Sequence, residues 1–113
     1  MKSPDPLVYV GHIRDCCQQL RECSALREKG TVPPAILFAA VCRNLEIIGE
    51  ATRRIDTAFR QAHPDIPWRE MNDLRNVIIH NYDAADPELI WNLVDRDIRP
   101  LLAAILRLLG PAP

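Results

Sequence analysis

No stretch of this sequence is apolar enough over the roughly 18 residues that a membrane span requires. The early apolar run LVYV is interrupted at once by Gly, His and Arg, so the start of the chain does not predict a secretory signal. The four cysteines show no C-x-x-C spacing. These absences argue against a membrane or secreted protein, and we expect a cytoplasmic chain whose cysteines are small buried side chains.

A surplus of positive charge is also missing, because 14 Lys and Arg residues face 15 Asp and Glu residues. The net charge is −1 and the pI is near 6.3. Any contact with nucleic acid must therefore use a local site and not an overall cationic surface. With 113 residues, 48% of them hydrophobic, the chain fits a single domain, with its core at about 7–109 and a frayed tail at 110–113.

The spacing of apolar residues, three and four apart, is that of amphipathic helices, and strand patterns are absent. Four helices are predicted, at about 7–28, 34–61, 67–80 and from 86 onward. Gly30 is a typical helix stop, and Asp86 followed by Pro87 is a typical helix start. Ile36 in the second helix and Leu89 in the last belong to the apolar stripes.

Short connections between these helices predict an all-α fold, an antiparallel up-and-down four-helix bundle. Pro100 lies inside the last helix and should kink or split it, because proline removes a backbone donor. Gly49 lies inside the second helix and costs about 1 kcal/mol relative to alanine. The compensation that we expect for Gly49 is the close approach of another helix.

The third helix divides its residues between two faces. At about 100° per residue, Met71, Leu74 and Ile78 form one core stripe. The polar residues at spacings of four on a face turned away from that stripe are Asn72, Asn76 and His80, with Arg69 and Asp73 beside them.

His80 is therefore expected to point outward at a helix C-terminus, where the helix dipole favours its protonated form and a nearby arginine opposes it. Such a histidine is suited to proton transfer near neutral pH, although an exposed capping histidine without a function fits the same geometry. Arg75 is predicted at the edge of the core stripe, with a stem long enough to reach solvent.

The segment RNVIIHNY, residues 75–82, fits the R-x4-6-H motif of HEPN domains in the R-x4-H-x-Y form typical of HepT toxins. Three further segments, RNLEIIGEA, PDIPWREMNDLRN and WNLVDRDIRPLL, resemble the same family and occur in the same order. The resemblance extends over about residues 13–109. It implies a small helical bundle that forms homodimers and acts as a metal-independent ribonuclease without a cofactor.

The resemblance also implies a function and a partner. Proteins of this kind are toxins of type VII-like toxin–antitoxin systems, neutralised by a minimal nucleotidyltransferase that attaches AMP to the motif tyrosine. Carried over to this sequence, the catalytic residues are Arg75 and His80, the supporting polar residue is Asn76, and the modified residue is Tyr82. Arg69 and Asn72 are further candidates for RNA binding.

On an ideal helix, residues 75 and 80 point about 140° apart. A two-fold dimer resolves this difference, because it duplicates the motif across one cleft, with one His80 as base and the other as acid. Further arginines should converge on the cleft, with Arg43, Arg53 and Arg54 as candidates. The alternative is a non-catalytic HEPN-like module that serves as antidote or substrate-holding partner of a nucleotidyltransferase.

Overall fold

The computed structural model describes residues 5–81 and 86–110, and the side chains of residues 5–78 and 86–110. Within these ranges the chain forms five helices and no strand, which confirms the all-α prediction. The helices are α1 (Pro6–Lys29), α2 (Pro34–Arg54), α3 (Thr57–Ala62), α4 (Trp68–Asn81) and α5 (Pro87–Leu109). None of the described helices is long and apolar enough to cross a membrane.

The predicted helix boundaries are mostly confirmed by their local geometry. Gly30 ends α1 with a φ of 68°, a left-handed conformation that glycine adopts without steric cost. Asp86 caps α5, because its side chain accepts a 3.0 Å hydrogen bond from the backbone N–H of Glu88. α4 covers the segment predicted at about 67–80.

The second helix was predicted to run to about residue 61, and this boundary is wrong. α2 ends at Arg54, Ile55 is extended, and Asp56 caps the separate helix α3 by accepting a 2.7 Å hydrogen bond from the N–H of Phe59. The break lets Ile55 turn into the core, where it is 1% exposed. Burial of that side chain and the aspartate cap together outweigh continuation of the helix.

The helices pack in a chain of neighbours, with α5 on α1, α1 on α2, and α2 on α4. α1 and α5 are also joined by polar contacts. The Ser24 hydroxyl donates a 2.8 Å hydrogen bond to Asp95, and Arg27 pairs with Glu88 while its guanidinium lies 4.7 Å from the Trp91 ring centroid. α2 is therefore the central element between α1 and α4.

The last helix runs through Pro100 without ending, so the split that the proline allowed does not occur. Pro100 is exposed, and water can satisfy the carbonyl that its missing N–H leaves unpaired. Two members of the predicted apolar stripes are not in the core, since Ile36 is 63% exposed and Leu89 is 53% exposed. The proposed tail lies outside the described residues from residue 111 onward.

All four cysteines are free and buried, as the sequence predicted. Burial raises the pKa of the Cys16 thiol to about 11, helped by the nearby Asp15 carboxylate, and that of Cys17 to about 12. A thiol with so high a pKa stays protonated near neutral pH and is a poor nucleophile or metal ligand. These cysteines therefore act as small apolar core residues.

Candidate functional site

α4 presents its two faces as its sequence predicts. Met71, Leu74 and Ile78 are buried at 2%, 8% and 3% exposure, and they hold the helix against the core. On the other face Asn76 is exposed and Asn72 is half-buried. The packing of α4 therefore leaves Asn76, and part of Asn72, available for contacts outside the bundle.

Gly49 lies where α4 packs closely against α2. A Cβ atom added to Gly49 would lie 3.1 Å from the Cβ of Arg75 and 3.2 Å from its backbone nitrogen. Both distances are shorter than ordinary van der Waals contact, so any side chain at this position requires α2 and α4 to shift by a few tenths of an ångström. The close approach of another helix, which was expected to compensate for Gly49, is thus confirmed. This approach places the backbone of Arg75 beside α2.

Replacing Gly49 with alanine is expected to destabilise the protein, although alanine is the better helix former. The added methyl group must push α4 away from α2, at a cost of roughly 1–3 kcal/mol typical of overpacking. Gly11 provides the matched control, because it lies within α1 and a Cβ there would meet no atom within 4 Å. Gly11→Ala should raise the free energy of unfolding by about 0.5–1 kcal/mol.

Urea denaturation of both variants and the unmodified chain measures the difference. A Gly49→Ala protein that is stabilised as much as Gly11→Ala would show that the approach of the two helices is not tight.

Beside this contact, Arg75 lines an open surface depression of about 470 Å³ together with Glu50, Arg53 and Arg54 of α2. Among the described residues, none of the three arginines forms an ion pair or a side-chain hydrogen bond. Among the described lining residues Glu50 is the one carboxylate, so the three arginines leave a surplus of two positive charges there. The depression is therefore a local cationic site on a chain of nearly neutral net charge.

The remaining predicted site residues lie outside this depression, or their side chains lie outside the described residues. Arg69 is exposed on α4 and, like Asn72 and Asn76, is not part of the lining around Arg75. The backbone of His80 lies in the last turns of α4, but its side chain lies outside the described residues. Tyr82 lies outside them entirely.

Arg53 and Arg54, predicted to converge with Arg75, do so. Arg43 lines a neighbouring depression that shares Glu50 and Arg54 with the first. Glu50 was missed by the sequence interpretation. The spacing of residues along α2 could have identified it. Arg43, Ile47, Glu50 and Arg54 follow one another at four, three and four residues and so form one stripe along α2.

This arrangement is suited to binding a phosphate. Guanidinium groups remain charged at any relevant pH, and their planar fork matches the geometry of phosphate oxygens. In the described parts of the chain, no group of three or more His, Cys, Asp or Glu residues could hold a metal ion. The depression therefore has the charge and the donor groups that suit an anion.

Comparison with known proteins identifies the family to which the chain is similar. Residues 13–108 match the family model described as Ribonuclease HepT-like. This match covers most of the chain and includes the depression around Arg75. No solved structure was found to match the chain.

Individual relatives agree with the family match. A protein of Caldanaerobacter subterraneus named as an RNase is 36% identical over 106 residues, which cover 89% of each chain. A Methanocaldococcus jannaschii protein, also named as an RNase, is 51% identical over 59 residues, covering 52% of this chain and 54% of the relative. A Thermococcus cleftensis protein named as a ribonuclease HepT is 48% identical over 62 residues, 55% of this chain and 56% of the relative. Several matches thus span about half of the relative's length.

Proposed function

The chain belongs to the HepT-like ribonuclease family, and we propose that it is a metal-independent endoribonuclease with its active site around Arg75 and His80. The substrate is RNA, and the reaction is cleavage of a phosphodiester bond. The cluster of Arg53, Arg54 and Arg75 around one depression, with no ion pair to any described residue, is the observation that supports this proposal most directly. An anion site in that place is what a phosphodiester substrate requires.

RNA carries its own nucleophile, so this reaction needs no metal. A base removes the proton from a 2′-OH, and the 2′-oxygen attacks the adjacent phosphorus. The bond to the 5′-oxygen breaks, an acid donates a proton to that oxygen, and a 2′,3′-cyclic phosphate remains. Histidine suits both proton transfers because its pKa is near working pH, and Arg75 would stabilise the negative charge that builds on the phosphate.

The proposed active form is a homodimer. On an ideal helix, positions 75 and 80 are about 140° apart, so we do not expect one copy to aim both side chains at the same phosphate. A two-fold axis beside α4 would bring the partner's motif into the same cleft. In this proposal one His80 acts as base and the other as acid.

We further propose that a minimal nucleotidyltransferase is the antitoxin partner and attaches AMP to Tyr82, one residue beyond the end of α4. An added AMP group would bring negative charge and bulk to the end of the helix that contains His80, where it would repel the RNA phosphate. After co-expression, mass spectrometry should find AMP on the Tyr82 peptide. Adducts confined to other residues would contradict this regulation.

Incubation of the purified chain with single-stranded RNA in the presence of EDTA tests the proposed activity. Cleavage products that end in 2′,3′-cyclic phosphates are expected. Binding of RNA without cleavage would identify the chain as a non-catalytic binding module. Activity that appears only on addition of a divalent metal would overturn the metal-independent mechanism.

A further inference from the structure

A second surface depression adjoins the one around Arg75. It has a volume of about 330 Å³ and shares Glu50 and Arg54 with the first. The remaining lining comes from Arg43, Ile47 and Ala51 of α2 and from Tyr9 and His12 of α1. The two depressions together form a continuous surface that crosses from α4 over α2 to α1.

The polar stripe of α2 runs along the floor of this surface. From Arg43 to Arg54 it extends for about 16 Å at the rise of an ideal helix. That length is several times the axial spacing of phosphates in one strand of a duplex, and it also exceeds their spacing in an extended strand. The surface can therefore hold several nucleotides and not only the phosphate at Arg75.

Arg43 and Arg54 on this stripe of α2 are available to bind phosphate. Arg43 makes one ion pair, with Glu46, at 3.6 Å, and its side chain is 64% exposed. A long, exposed pair of this kind contributes little, so Arg43 can exchange it for a phosphate at small cost. Arg54 forms no ion pair within the described chain.

Tyr9 and His12 stand at the far side of the stripe. Their ring centroids are 6.0 Å apart and the rings are nearly perpendicular, at 88°. His12 is exposed and Tyr9 is half-buried, and both rings line the second depression, where a ligand can reach them. Aromatic rings beside a cationic groove are the combination that binds unpaired bases, by stacking, along a strand held by its phosphates.

We propose that this second depression is a subsite for single-stranded RNA, binding the nucleotides that flank the reactive phosphate. Arg43 and Arg54 contact phosphates, and the rings of Tyr9 and His12 contact a base. This subsite rests on the proposed ribonuclease function, because it extends the same cleft. Its occupant is single-stranded, since the bases of a duplex are stacked on each other and cannot reach the rings.

Fluorescence anisotropy with 2′-O-methyl oligonucleotides measures binding without cleavage, because these strands lack the attacking 2′-OH. A strand of about eight nucleotides reaches both depressions, and one of about two nucleotides fills only the first. His12→Ala and Tyr9→Leu should each weaken binding of the longer strand about fivefold or more, and leave the shorter strand unaffected. Tyr9→Phe keeps the ring and should bind as the unmodified chain does.

Salt dependence tests the phosphate contacts separately. Arg43→Gln should reduce the slope of log K against log salt concentration by about 0.7, the value for one phosphate contact in a single strand. Arg21→Gln is the matched control, since Arg21 is exposed on α1 and faces about 180° away from His12. The Arg21→Gln slope should not change.

The outcomes separate the subsite from the ribonuclease function. If the chain cleaves RNA but the His12, Tyr9 and Arg43 variants bind the longer strand normally, the subsite is wrong and the function stands. Equal losses for both strand lengths would also overturn the subsite, since that pattern indicates damage to the fold or to the first depression. If the unmodified chain neither binds nor cleaves RNA, both proposals fail.

Discussion

Replacing Arg75 with alanine is expected to lower the rate of RNA cleavage by a factor of about 100 to 1000, the usual cost of removing a group that stabilises charge in the transition state. Arg53 and Arg54 line the same depression and would retain part of the RNA affinity. The loss should therefore appear mainly in kcat and less in KM. Steady-state cleavage of a defined oligonucleotide measures both constants.

The Arg75→Ala variant is expected to keep its fold. The close contact with Gly49 uses the Cβ and the backbone nitrogen of Arg75, and alanine keeps both. Arg75→Ala should thus unfold at the same urea concentration as the unmodified chain. Arg99→Ala removes an exposed arginine from α5, outside both depressions, and should leave kcat unchanged.

Arg75→Lys distinguishes charge from geometry at the same position. Lysine keeps the positive charge but lacks the planar fork that binds two phosphate oxygens. An intermediate rate is expected. Full activity of Arg75→Ala in the presence of normal folding would exclude Arg75 from catalysis.

The second large effect is expected in a mixed dimer that combines one unmodified subunit with one His80→Ala subunit. If one His80 is the base and the other the acid, every orientation of the substrate in this dimer lacks one of the two groups. Its activity should be close to that of the His80→Ala homodimer, which is expected to be reduced by about 100-fold to 10,000-fold.

Different affinity tags on the two subunits allow the mixed dimer to be purified after co-expression. Half of the unmodified activity would mean that each subunit contains a complete site, and it would refute the shared cleft. A chain that sediments as a monomer while cleaving RNA would refute the proposed dimer altogether.

Most of the fold could be predicted from local sequence signals. Gly30 and Asp86 mark their helix ends because capping depends on residues within one turn. The break at Ile55 was not predicted, because periodic apolar residues continue to Phe59 and only the burial of Ile55 reveals the turn. The exposure of Ile36 was missed for the same reason, since periodicity indicates a face but not whether another helix covers it.

The sequence by itself determined most helix boundaries, the buried stripe of α4 and the motif that contains Arg75 and His80, because these follow from residue type and spacing within one helix. Only the tertiary structure decided which cations share a site. Arg53 and Arg54 are more than 20 positions from Arg75, and they meet it because Gly49 lets α4 lie directly against α2. Tyr9 and His12 join the same surface through the packing of α1 on α2, which no local pattern specifies.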